Sequence, residues 1–349
     1  MKRFLALFLA LLMVLSMAAC ARTEVAKEPA VEEAVTEDNY VVEDFIYYPT
    51  TVTDQADRKV MIRTQPERIV SGYYISTSLL MALGYKDKLV GIEAKADKRP
   101  IYSLSAPELI ELPNVGTAKE FDLEGCIALE PDLVILPLKL KEAAAALEEL
   151  EIPVLLVNPE SRTQLADMTT LIAKALNCED KAAALFEFTS NTETFIAETI
   201  GEAEKPTVYL AGNSSLLSTA GGKMYQSDLI DLAGGVNVAA EIEDTYWVEV
   251  SYEQLLAWDP DYIILASDAA YTAEDVLADH ALAGCKAVAN GKVYQMPAKA
   301  EAWDSPVPGG ILGALWMAGK LHADLMEESE VYDSVQTFYS LFYGFEYTA

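Results

Sequence analysis

Residues 122–136, DLEGCIALEPDLVIL, and residues 251–265, SYEQLLAWDPDYIIL, align without a gap, 129 positions apart, with Glu, Ala, Pro, Asp, Ile and Leu identical. Self-similarity at a fixed offset means two similar folding units in one chain. Each copy reads as helix, turn, strand. Asp122 and Ser251 stand at N-cap positions, and Ser251 with Gln254 has the capping-box spacing. Apolar residues follow at helical spacing: Ile127 and Leu129, then Leu255, Leu256 and Trp258. Pro131 and Pro260 stop the helix, and Asp132 and Asp261 make the turn. The runs LVIL and YIIL then read as short strands, apolar on both faces, as in a parallel sheet covered on both sides.

The surroundings extend the scheme. Strands are expected at Arg68–Gly72, Leu89–Ile92 and Val154–Val157, with helices at Ser76–Leu83 and Lys141–Leu150. In the second half, strands are expected at Thr207–Ala211 and Lys292–Met296, with helices at Tyr225–Leu232, near Ala273–Leu277, and from Ile311 onward. Alternating strand and helix imply parallel sheets with helices outside. Between the halves, Arg162 to Ile200 has no Gly or Pro and keeps helical apolar spacing. The expected fold is therefore α/β: two Rossmann-like lobes with parallel-rich sheets, at 49–160 and 204–349, joined by linking helices at 161–203. A rigid helical link predicts only slight closure of the lobes.

The ends add an address. Lys2 and Arg3 precede Phe4–Ala19, an apolar run of 16 residues, too short to span a bilayer comfortably but suited to a secretory signal. The run ends Ser16-Met17-Ala18-Ala19-Cys20, which resembles the lipobox of bacterial lipoproteins. Residues 1–20 are read as a signal peptide with Cys20 lipidated. Residues 21–48 are read as a disordered acidic tether, since Glu24, Glu28, Glu32, Glu33, Glu37, Asp38 and Glu43 leave little to bury. The expected location is the outer face of the cell membrane, or the periplasm. The net charge of -30 becomes -32 once Lys2 and Arg3 are removed. So acidic a surface excludes nucleic acid as a partner.

Catalytic and metal signatures are lacking. His280 and His322 are the two histidines, in no HExxH pattern, and both lie in helical stretches. Cys126, Cys178 and Cys285 have no metal-ligand spacing and read as buried free thiols. There is no GxGxxG after a strand, no Walker A loop and no GxSxG elbow. The sequence points to a binding protein, monomeric, without a cofactor, a resident metal or an active site. An enzyme or adhesion module on the same two lobes is the alternative of a different class.

In α/β lobes, ligands sit outside the carboxyl ends of the strands. The loops there offer Tyr73, Tyr74, Lys95, Lys98, Arg99, Tyr102, Lys119 and Lys139 in the first lobe. The second offers Asn213, Lys223, Tyr225, Tyr246, Trp247, Ser267, Asp268, Glu301, Trp303 and Asp304. Cations beside aromatics, on an acidic protein, suit a bulky, planar or chelated anion. The candidate ligand residues are Tyr73, Tyr74, Lys95, Arg99, Lys119, Lys223, Tyr225, Trp247, Trp303 and Asp304.

These segments together resemble a known family. They are TDQADRKVMI with PERIV, FDLEGCIALEPDLVI, DLIDLAGGVNVA, WVEVSYEQLLAWDPDYII, AVANGKVYQMP and AWDSPVPGGILGALWMA, spread over about residues 50 to 345. The family is that of substrate-binding proteins of ferric-siderophore, haem and cobalamin ABC importers, built of two α/β lobes joined by a long helix. Asp57 replaces the glycine usual before Arg58. The resemblance implies partners: a permease dimer and its ATPase, with Glu124 and Glu253 as the two permease contacts. It also puts Trp247, Trp303 and Asp304 where cleft contacts occur. The cargo it implies is a metal chelate, a ferric siderophore first, with haem, a corrinoid such as cobalamin, or a nickel chelate as alternatives.

Overall fold

The computed structural model describes residues 48–243 and 247–348. The signal peptide with Cys20, the tether before residue 48, and Tyr246 lie outside the described residues.

The described chain opens with a hairpin, β1 (Thr50–Thr53) and β2 (Lys59–Ile62), paired antiparallel. Asp57 takes the left-handed conformation, φ 60°. That explains why a glycine suits the position, and Asp is among the residues that tolerate it. Buried Asp54 fixes the turn. Its Oδ1 accepts from the Ala56 and Arg58 amides, both at 3.0 Å, and its Oδ2 accepts from Arg58 Nε and from the Leu156 amide, also at 3.0 Å.

The first lobe holds a four-stranded, all-parallel sheet. Its strands are β3 (Ile69–Ser71), β4 (Leu89–Ile92), β5 (Leu133–Pro137) and β6 (Val154–Val157), in the order β4-β3-β5-β6. Around it lie α1 (Tyr74–Ala82), α2 (Pro100–Ser105), α3 (Leu123–Ala128) and α4 (Lys141–Glu148). Helix α1 starts two residues before the expected Ser76. The reason is that Ser76 and Thr77 do not cap it; their hydroxyls donate back to the Tyr73 carbonyl at 2.8 and 3.2 Å from within the first turn. Every residue of β5 and β6 is buried, as an apolar parallel strand requires.

Two linking helices follow, α5 (Arg162–Leu176) and α6 (Glu179–Ile200). Asn177, left-handed at φ 53°, separates them.

The second lobe contains β7 (Thr207–Ala211), β8 (Ser218–Ala220), β9 (Val236–Asn237), β10 (Trp247–Glu249), β11 (Tyr262–Leu265) and β12 (Val293–Gln295). The sheet runs β10-β8-β7-β11-β12, with β9 also beside β7. Strands β9, β7, β11 and β12 are parallel, but β8 and β10 are antiparallel. Those short strands pair through the backbone and have no sequence periodicity to announce them. The helices are α7 (Tyr225–Leu232), α8 (Tyr252–Trp258), α9 (Ala273–Leu277), α10 (Lys286–Ala289), α11 (Ile311–Leu321) and α12 (Glu328–Tyr343).

The repeat is structural in detail. Asp122 and Ser251 cap α3 and α8, accepting from the Gly125 and Gln254 amides. Glu130 and Asp259, aligned in the repeat, are both left-handed, φ 48° and 46°. The shared Asp does more than turn the chain. Asp132 accepts from the Glu67 and Arg68 amides at 2.8 and 2.9 Å, at the start of β3. Asp261 Oδ2 accepts from the Thr207 amide and hydroxyl at 2.9 and 2.8 Å, at the start of β7. Each therefore ties its own strand to the neighbouring one.

One apolar core runs from Ile69 and Leu79 of the first lobe through Leu171 and Leu185 of the linking helices to Val208, Leu315 and Phe338 of the second. Cys126, Cys178 and Cys285 are buried free thiols.

Candidate functional site

The carboxyl end of β3 begins the site. Gly72 follows it so closely packed that a Cβ there would lie 2.6 Å from Leu136 Cδ2. Half-buried Tyr73 and Tyr74 follow, and their rings meet edge-on at 5.4 Å. Behind them is a buried polar layer. The Ser71 and Ser76 hydroxyls are 2.7 Å apart, and Thr77 Oγ1 lies 2.8 Å from Ser71 Oγ and 2.7 Å from Glu93 Oε2. Tyr102 donates to Glu93 Oε1 at 2.6 Å. Burial raises the Glu93 carboxyl above the usual carboxylate range, against the pull of these donors and of Arg99.

Arg99 precedes α2, and its guanidinium lies 3.8 Å over the Tyr74 ring. Its Nε is 3.5 Å from Glu93 Oε1, an ionic contact but too long for a good hydrogen bond. That buried Nε has no hydrogen-bond partner.

The second lobe closes the site with the loop after β11 and the long loop after β12. Between them the lobes leave a partly open cavity of about 50 Å³ lined by Tyr74, Ser78, Arg99, Tyr102, Asp268, Glu301 and Ser305, among others. A larger hollow, about 330 Å³, lies beside Lys59, Arg63, Pro131 and Pro153, ahead of β5 and β6. That is the amino end of the sheet, away from where α/β lobes bind ligands.

Of the ten expected ligand residues, Tyr74 and Arg99 line the cavity, and Tyr73 packs beside Tyr74. The others are placed elsewhere. Trp303 is 3% exposed, and its Nε1 donates to the Tyr339 hydroxyl at 2.8 Å, so its ring belongs to the core under α12. Asp304 is buried, its carboxyl raised by that burial, and its carbonyl accepts from Gln226 Nε2 at 2.8 Å. Tyr225 is buried against Gly310. Lys95 is exposed in a left-handed turn, Lys119 is exposed beyond Thr117, and Lys223 pairs with Glu243 at 3.2 Å in open solvent. Trp247 sits on the outer strand β10, 39% exposed, over Gly212.

Ser78, Ser305 and Glu301 complete the lining. Ser78 is inside a helix of mostly apolar residues, so its sequence pattern reads as core. Glu301 is among the residues that the strand-end rule offers after Lys292–Met296, though outside the ten candidates. Among the described residues, no group of three or more His, Cys, Asp or Glu side chains is placed to hold a metal ion.

Glu124 and Glu253 occupy equivalent first-turn positions of α3 and α8, and both are exposed. The Glu253 carboxyl is held below its ordinary value by its own backbone amide and by the Ser251 hydroxyl.

The sequence profile of a periplasmic binding protein family matches residues 69–300. The molybdate-binding protein MolA of Haemophilus influenzae is 25% identical over 323 residues, 85% of this chain and 91% of that protein. Its molybdate-bound structure superposes with a TM-score of 0.74 at 24% identity, covering 86% of this chain and 99% of that one. An uncharacterized ABC transporter substrate-binding lipoprotein of Bacillus subtilis, YvrC, is 28% identical over 226 residues, 62% of this chain and 69% of that protein. The crystal structure of a periplasmic solute binding protein from Veillonella parvula matches with a TM-score of 0.74 and 26% identity, covering 86% and 94% of the two chains.

Proposed function

The chain belongs to the periplasmic binding protein family, and from that premise we propose that its cargo is a compact anion of the molybdate type, gripped by Arg99 and the hydroxyls around it. The protein is the substrate-binding component of an ABC importer, acting outside the cytoplasm with a permease and its ATPase.

Arg99 carries the reading of the cargo. It is a guanidinium stacked on Tyr74, with a buried Nε left without a hydrogen-bond partner, at the wall of a small cavity. A fixed donor fork of this kind suits an oxyanion, and Tyr74 and Ser305 add hydroxyls to the same lining. Size supports the same conclusion. About 50 Å³ is far below the ~300–1,000 Å³ typical of larger ligands, so a haem, a corrinoid or a bulky ferric siderophore fits it poorly. The dispersal of Lys95, Lys119 and Lys223 to the surface also removes the broad basic wall that a polyanionic chelate would use. The molybdate-binding relative, similar along most of both chains, adds support.

Two further parts belong to the proposal. Cys20 is the lipidated anchor, supported by Lys2, Arg3, the apolar run and the small residues before it. Glu124 and Glu253 are the permease contacts, supported by their equivalent, exposed positions in the two copies of the repeat.

Calorimetric titration of the purified protein with molybdate, ferric catecholate, haem and cobalamin tests the cargo. One molybdate per chain, with no heat from haem or cobalamin, is the expected result. Tight cobalamin or siderophore binding with no response to molybdate would overturn it.

A further inference from the structure

We propose that Glu301 makes cargo capture proton-linked: the cavity takes its anion together with one proton from solvent, held on the Glu301 carboxyl. The inference rests on the compact-anion reading above and adds the residue that sets the charge of that site.

Glu301 follows β12 and is 6% exposed, yet it lines the cavity. It joins the lobes. Its Oε1 accepts a short hydrogen bond from Ser78 of α1, and the Tyr343 hydroxyl of α12 lies 3.5 Å from the same oxygen and 2.8 Å from Ser78 Oγ. Its Oε2 has no hydrogen-bond partner. Position 309 is a glycine that leaves room for that oxygen; a Cβ there would stand 2.5 Å from it.

The groups facing this carboxyl do not balance a negative charge. From α12 come the Tyr339 and Tyr343 hydroxyls, and from α7 the buried Tyr225, all neutral and all raised further by burial. Across the cavity stand Arg99, Lys98 and Asp268. Arg99 is the nearest of them to count against Glu301, but its charge is already shared with Glu93. Burial pushes the Glu301 carboxyl up to about 7, against the hydrogen bond from Ser78, the Tyr343 hydroxyl, the charge of Arg99 and the Gly309 amide.

Glu93 is the other buried acid here, and its geometry differs. Thr77 and Tyr102 both aim donors at it, one on each oxygen, with Arg99 beside it. Burial raises that carboxyl too, but each of its oxygens has a donor, whereas Glu301 Oε2 makes no hydrogen bond.

An incoming anion would oppose an ionised Glu301 in a cavity of about 50 Å³, where charges interact strongly. A neutral Glu301 removes that repulsion and leaves Arg99 as the dominant charge. Binding must then raise the Glu301 pKa further, so the complex holds more protons than the free protein, and affinity falls as pH rises through about 7.

Calorimetry with molybdate from about pH 6 to about pH 9, in buffers of different ionisation enthalpy, tests this. The expected result is steady affinity at the acid end and a fall of up to about tenfold per pH unit above about 7. It includes uptake of nearly one proton per anion at about pH 8. Glu301→Gln, which keeps the shape and accepts from Ser78, is expected to abolish both the slope and the uptake. Molybdate binding with flat affinity and no proton uptake in the native protein overturns the proposal, as does an unchanged slope in Glu301→Gln. No molybdate binding at any pH rejects the compact-anion reading, and this inference with it.

Discussion

Arg99 shows how one side chain is pre-set at the wall of a cavity. The cation is held by a ring beneath it, at 3.8 Å, and by a carboxylate beside it that is itself fixed by Thr77 and Tyr102. Its rotamer is thus set before any ligand arrives, which lowers the entropy lost on binding. Replacing it with Ala is expected to weaken molybdate binding by about tenfold to a hundredfold, the worth of a hydrogen bond to a charged group. Arg99→Lys is expected to recover little, because an ammonium neither stacks on Tyr74 nor offers a planar fork. Titration calorimetry reads both, with a melting temperature as the check on folding. Undiminished affinity in Arg99→Ala would remove Arg99 from the site. The positional rule that ligands gather at strand ends pointed to Tyr73, Tyr74 and Arg99, and these lie at the cavity or beside it. It did not separate them from Lys119 and Lys223, because charge and loop position do not say which way a long side chain turns.

At the scale of elements, aspartates do the joining. Asp54 is 3% exposed and gathers the Ala56, Arg58 and Leu156 amides together with the Arg58 guanidinium. It locks the β1–β2 hairpin onto β6. Asp54→Ala leaves these donors without their acceptor and is expected to cost roughly 2–4 kcal/mol. Asp261→Ala, at a half-exposed carboxylate serving Thr207 and an exposed ion pair with Lys286, is expected to cost roughly 1 kcal/mol. Urea unfolding of both variants measures the ranking, and an equal or inverse cost would refute it. The sequence marks Asp132 and Asp261 through the repeat, but only pairing of the strands shows that each serves a neighbouring strand rather than its own turn.

For the whole molecule, the continuous core matters most. The linking helices bury their apolar faces against both lobes, and α11 and α12 extend the same core. Large separation of the lobes would expose that surface, at about 25 cal/mol per Å², so small relative movement is the favoured mode. On the proposed docking role, lobes that move little would also hold Glu124 and Glu253 at a nearly constant spacing. Reversing both, Glu124→Arg with Glu253→Arg, is expected to abolish uptake in cells while leaving calorimetric affinity for cargo unchanged. Normal uptake by the double variant would exclude them as the permease contacts.

The sequence alone determined whatever depends on neighbours along the chain. Strands β4, β6, β7 and β11 and helices α7 and α9 fall at their expected limits, because apolar runs, caps, prolines and glycines act within a few residues. The two-lobe plan followed from the repeat for the same reason. Tertiary structure decided the rest. The antiparallel pairing of β8 and β10 rests on backbone hydrogen bonds between distant segments. The inward turn of Trp303 toward Tyr339, and the meeting of Ser78 with Glu301, join residues 36 and 223 positions apart. Burial and partnership across such distances set the charge of a carboxyl and the reach of a cation. They exist only once the lobes have packed, and so the nature of the cargo site is written in the fold rather than in any local stretch of sequence.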